Sequence, residues 1–295
     1  MASGPLLAAA AGVGFGVFQT LNRRAVGGMS DAYLATFLQL LVALVVLAVA
    51  TVATTDVGLL AEATAVGIVL FALAGLVHFF VGWTLLNMSQ MRIGAARTSP
   101  LLSTNPLFGV AVAAVTLGEF PHLAGWLGIG LVLAGAFVVA RERVAETGWG
   151  VGWADSSFGL GTALAWAVSP VLIKEGLDGL SSPLLGLTLG MLAAVAAYAL
   201  LVLLRGRPQV DGIGSRAALG FKLVAGMMVG LSVWARWVSL DSTAVGVVLA
   251  LGLLSVPIVL VFSPLLMGRH VERVTAQLWL GGALVVAGGL VLIAA

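Results

Sequence analysis

Arg97, Thr98, Ser99, Ser103, Thr104 and Asn105 crowd the start of a stretch that is otherwise apolar as far as Leu117. A guanidinium can hold an anionic group, and hydroxyls and an amide can donate to or accept from a small polar ligand. Thr98, Leu102, Asn105 and Gly109 recur at helical spacing, on one face, and Arg97 and Thr104 fall on the adjacent stripe. This pattern reads as a substrate-binding wall. A local reading competes with it. Arg97 lies near a helix end, where its guanidinium can reach the headgroups, and Ser and Thr can bond their own backbone.

His78 lies mid-stretch between Gly75 and Gly82, on a face of small residues, and reads as the only ionisable group in the middle of a span. An imidazole there can titrate near neutral pH and couple a proton, or can stay neutral and bond a neighbouring helix. Gln19, Asn22 and Gln39 are amides inside apolar stretches, and an amide facing lipid is costly, so they should point inward. Trp166, three residues before Ser169, lies deep enough to wall a cavity, and with Gln19 it joins the substrate-binding candidates. Trp83 and Trp234 stand near span ends, where an interfacial belt explains them. Pro106, Pro257 and Pro170, with Pro100, each remove a backbone donor and are expected to kink helices.

Other chemistry is missing from the pattern. The 12 carboxylates fall in loops or at span ends, with Glu119 nearest to a helix end, so a buried carboxylate exchanging protons for cations is disfavoured. There is no metal-ligand cluster, nucleophile elbow or phosphate loop, so neither a cofactor nor an enzymatic reaction is expected. Cysteine is absent, which excludes disulfides. A net charge of +2 suggests no nucleic-acid partner.

These side chains must be held by helices in lipid. The chain is 61% hydrophobic and 9% charged, against about 25% charged for a soluble domain. Ten apolar stretches are long enough to span, at 5–22, 31–54, 64–88, 95–117, 122–141, 157–174, 182–204, 217–239, 242–266 and 274–294. Only Leu240, Asp241 and Ser242 separate the eighth from the ninth. The first stretch lacks a charged leader and reads as a span, not a cleaved signal. The 39 glycines cluster inside the stretches and suit close helix contacts.

Residues 1–118 laid on 152–268 match Gly28 with Gly179, Gly75 with Gly226, Trp83 with Trp234 and Pro106 with Pro257. After a short insertion, Trp126 meets Trp279 and Gly128 meets Gly281. Two units, 1–145 and 146–295, are therefore expected, joined by the polar connector from Arg141 to Ser157. An odd number of spans per unit inverts the second across the bilayer. The expected fold is an all-α membrane protein of ten transmembrane helices in two inverted five-helix repeats, an architecture of secondary transporters. Ten arginines, from Arg23 to Arg273, sit on the side of the loops after odd-numbered spans, which places both termini outside a plasma membrane.

Residues Ala95–Ala140 carry Asn105-Pro106-Leu107, Leu117-Gly118-Glu119, Gly125-Trp126-Leu127-Gly128 and Leu133-Ala134-Gly135. Val256-Pro257-Ile258 and Trp279-Leu280-Gly281 through Ala287-Gly288-Gly289 repeat the theme, although Gly268-Arg269-His270 replaces the Gly-Glu pair. With ten spans in two units, the chain resembles the EamA-type transporters of the drug/metabolite transporter superfamily. The resemblance implies a metabolite carrier, often an exporter, with a central cavity between the repeats and termini in the cytoplasm. The loop charges here point the other way.

Three functions compete: a secondary carrier of small neutral or anionic metabolites such as amino acids, a lipid-modifying membrane enzyme, and a non-transporting sensor or assembly protein. The polar mid-span residues favour the carrier, with membrane lipids and a small-molecule substrate as partners. Arg97, Asn105 and Gln19 would hold the substrate with Thr98, Thr104 and Trp166 beside them, and His78 would serve as the proton-coupling group.

Overall fold

The computed structural model describes residues 3–117, 123–141, 153–204, 215–240, 248, 251–268 and 271–294. The connector at 142–152, Glu119, and the boundary between the eighth and ninth spans at 241–247 lie outside the described residues. The described chain is all-α, without strands. Its helices are α1 (Ser3–Val26), α2 (Ala32–Thr54), α3 (Ala65–Gly75), α4 (Trp83–Ile93), α5 (Ala95–Leu102), α6 (Asn105–Leu117), α7 (Leu123–Ala140), α8 (Trp153–Leu177), α9 (Pro183–Leu204), α10 (Arg216–Leu240), α11 (Ser255–Met267) and α12 (Ala276–Ala294). Seven helical runs are long and apolar enough to cross a membrane, and α7 and α11 add shorter apolar helices. The protein is an integral, multi-pass membrane protein. Its outer faces carry exposed Leu6, Val45, Val49, Leu203 and Leu204, which lipid can cover without cost.

Local chemistry sets the helix ends. Asp31 Oδ1 accepts the N–H groups of Tyr33 and Leu34 at 2.8 and 3.3 Å and starts α2, because the first turn of a helix has no internal acceptors for these donors. Gly94 ends α4 at φ 81°, a left-handed conformation that a side chain resists. A Cβ there would also lie 2.5 Å from Glu272 Oε1.

Two expected continuous spans are broken. Pro106 has no N–H to give to the Leu102 carbonyl, so the fourth stretch divides at Ser103–Thr104 into α5 and α6. Pro257 has the same effect at Leu253–Leu254, just before α11. Both prolines therefore stand in the first turn of a new helix, where the missing donor is harmless. Pro170 lies inside α8. Between α3 and α4, Leu76–Gly82 winds as a π-helix within one continuous run from Ala65 to Ile93.

Close packing rests on glycine. A Cβ on Gly75 of α3 would fall 2.0 Å from the Gly190 carbonyl oxygen of α9, so the two backbones touch. Helices α7 and α12 meet reciprocally. Gly128 lies against Gly288 O and Gly288 against Gly128 O, while Gly135 faces Gly281 O and Gly281 faces Gly135 O. In lipid such contacts supply dispersion energy that larger residues would prevent. The main core gathers Phe18, Phe71, Phe79, Trp83 and Tyr198, all at most 1% exposed.

Candidate functional site

The π-helix positions the first half of a central cavity. Its wider winding disturbs the regular backbone bonding, and the Phe80 carbonyl accepts from the Tyr198 hydroxyl at 2.9 Å and from Thr84 Oγ. The Thr84 and Tyr198 hydroxyls also lie against each other. The segment carries His78 and Phe79 to the cavity wall, next to Trp83. Across from them α8 contributes Trp166, Ser169 and Pro170. His78 Nδ1 and Ser169 Oγ lie 2.8 Å apart, and the imidazole stacks on Trp166 with centroids 5.4 Å apart and planes 15° from parallel. Phe15 of α1 meets the edge of Trp166 at 5.4 Å.

Helix α10 supplies the charge. Arg236, with Ser232 and Trp237, lines the cavity and makes no ion pair among the described residues. Asn105, at the start of α6, adds an amide, and small Ala8, Ala11, Gly12 and Gly252 leave room. The cavity is open at one side, where Arg236 and Pro170 are exposed, and its volume is about 100 Å³. It combines aromatic walls, one guanidinium, one imidazole and a few neutral donors. Such a site suits a compact solute with an apolar part and a carboxylate or similar oxygen group.

Trp83, fully buried and not in an interfacial belt as expected, and Pro170 line this cavity. Of the residues expected to bind substrate or couple a proton, three meet here: Asn105, Trp166 and His78. The others do not line the cavity. Thr98 Oγ1 donates to Gly94 O at 2.7 Å and bonds Ser89 Oγ at 2.8 Å, and Thr104 Oγ1 donates to Leu101 O at 2.7 Å. Both thus serve backbone and neighbours, since the break after Leu102 ends the single helical face that grouped them with Asn105. Arg97 is buried within α5, 5% exposed. Gln19 is fully buried beyond the cavity, and neither of its amide atoms has a partner.

His78 is not the only ionisable group within a span, contrary to the expectation. Arg236 and Lys222 both belong to α10, and Lys222 is fully buried. Its ammonium donates to Asn22 Oδ1, to Gln39 Oε1 at 2.8 Å and to Asn87 Oδ1 at 2.9 Å. Lys222 lies within two turns of the start of α10 and Arg236 within two turns of its end, so both look like end charges in the sequence. A signal was present: in the expected repeat alignment Lys222 falls opposite Phe71, a residue buried in the core. On the same side, Glu272 is 1% exposed, pairs with Arg23 Nε at 3.2 Å and accepts the Ala96 N–H at 2.7 Å.

Comparison with known proteins agrees with this architecture. A solved crystal structure, one of 12 matching chains, superposes with a TM-score of 0.60 at 21% identity over 96% of this chain and 95% of its own, which shows a shared fold. No curated protein matches the chain. Residues 2–141 match the family model described as EamA-like transporter family. That segment belongs to the EamA-type transporters of the drug/metabolite transporter superfamily.

Proposed function

We propose that the protein is a secondary carrier, working as an exporter of small neutral or anionic metabolites such as amino acids. The observation that carries this reading is the central cavity, where Arg236, His78, Ser169 and Asn105 converge among aromatic walls. Arg236 takes the anion-binding role that the sequence suggested for Arg97, and Trp166 and Phe15 cover the apolar part of the solute. His78 remains the candidate for proton coupling within the cavity.

Two inverted five-helix repeats would rock about this site to open each face in turn. Reciprocal contacts support the repeat reading. A Cβ on Gly28 would lie 3.0 Å from Ala218 Cβ, and the expected repeat counterparts Gly179 and Gly67 are also in contact. Gly226 packs on Gln39 O as its counterpart Gly75 packs on Gly190 O. The cavity uses the second halves of α8 and α10, away from the arginine-rich loops. With those loops in the cytoplasm, as their charge suggests, the closed face is the cytoplasmic one and both termini lie outside.

Transport in proteoliposomes tests the reading. Arg236→Gln should depress movement of carboxylate-bearing solutes about tenfold or more, the scale of one lost charge-assisted bond. Asn105→Leu should weaken binding of the same solutes. Unchanged transport in both folded variants would remove the basis for this site.

A further inference from the structure

Lys222 is a buried cation surrounded by amides and not by acids. A lysine ammonium has three hydrogens to donate, and three amide oxygens receive them, from Asn22 on α1, Gln39 on α2 and Asn87 on α4. Two of the three amide orientations, those of Asn22 and Asn87, are set independently of the lysine. Asn87 Nδ2 donates to the Trp83 carbonyl at 2.9 Å and to Thr36 Oγ1 at 2.9 Å, which turns Oδ1 toward Lys222. Asn22 Nδ2 donates to Gln90 Oε1 at 2.8 Å and Asn87 Oδ1 at 2.9 Å, which leaves its own oxygen for the ammonium. Among the described residues no carboxylate bonds the lysine. Nearby Glu272 is engaged by Arg23 and Ala96, Asp31 caps α2, and Arg92 pairs with Asp155 at 3.1 Å. Arg24 rests over Phe221, and Tyr33 lies on α2.

A bare charge in this position would be very costly, and it is tolerated only when oxygen dipoles replace its water. We propose that this oxygen cage is a monovalent-cation site which the protein fills with its own side chain. The tethered ammonium joins α1, α2 and α4 to α10 and so holds the arginine-rich face shut. In its absence the cage takes a free primary ammonium ion. Gln19 supports a functional link to the cavity. It follows Phe15 of the cavity wall by one turn and precedes Asn22 by another on the same face of α1, and its buried amide has no partner. The closing role rests on the carrier reading above, whereas occupancy of the cage does not.

Melting of the detergent-purified full chain, without substrate, tests the cage. Lys222→Ala should melt several degrees below the parent. Methylammonium chloride should raise its melting temperature in a saturable way, by preferential binding to the folded state. Tetramethylammonium chloride at equal concentration, having the same charge and no N–H, should not. The parent protein should respond alike to both salts. A folded variant that also responds alike overturns the proposal. Should Lys222→Ala fail to fold, Gln39→Glu decides. Gln39 Nε2 has no partner to lose, so a carboxylate beside the ammonium should raise the melting temperature of an otherwise intact protein, and a lowered value overturns the proposal. Because no solute is transported, a wrong carrier reading would leave these melting results standing.

Discussion

Glu272 Oε1 accepts the backbone N–H of Ala96 at 2.7 Å across 176 positions of sequence, while its other oxygen holds Arg23 Nε at 3.2 Å. One carboxylate thus fastens the first turn of α5 and the end of α1 to the segment before α12. Gly94 leaves the space for it, since any Cβ would strike the carboxylate.

Removing this carboxylate should loosen the arginine-rich face. Glu272→Gln keeps an acceptor for Ala96 and loses the ion pair, whereas Glu272→Ala loses both. Stability should fall in that order, by about 1.5–3 kcal/mol for the charged bond. Denaturation of the purified variants measures it, and equal stability of parent and Glu272→Ala would refute the fastening role.

At Trp166 the size and flatness of the ring matter together. Trp166→Phe should keep contact with His78 and Phe15, whereas Trp166→Ala should cost about 3–5 kcal/mol of stability if the wall collapses poorly. Binding of an identified solute should weaken more in Trp166→Ala than in Trp166→Phe. Titration calorimetry on both variants reads the difference.

Substitution of Gly75 should be far more damaging than substitution of Gly130. A Gly75 Cβ would enter the Gly190 carbonyl, forcing α3 and α9 apart at a cost of about 1–3 kcal/mol or more. A Gly130 Cβ meets nothing within 4 Å. Gly130→Ala should be neutral or slightly stabilising, because alanine favours helix by about 1 kcal/mol over glycine. Thermal melts of the two variants give the comparison.

The helical membrane architecture was legible because an apolar stretch of spanning length has few other uses. The cavity was legible only in part. His78, Trp166 and Asn105 stood out as polar or aromatic groups deep in apolar stretches, and they do line one cavity. Arg97 and Thr98 looked equally suitable, but a helical-face argument assumes an unbroken helix, and the turn at Ser103–Thr104 invalidates it. Lys222 and Arg236 were hidden for a different reason. Distance from a span end along the sequence does not say whether a long side chain reaches water, and only the positions of α1, α2 and α4 show where the Lys222 ammonium goes.

The pairing of α7 with α12 also bears on biogenesis. These helices press glycine against backbone at four reciprocal points, yet roughly 135 residues separate the end of α7 from the start of α12. At about 5–20 residues per second of synthesis, α7 waits on the order of ten seconds or more before its partner exists. Until then its glycine stripe faces lipid or a chaperone in the insertion machinery. The nineteen-residue helix Ala276–Ala294 is therefore the step that completes this pairing, and a chain arrested before it should be recognised by membrane quality-control proteases as unfinished.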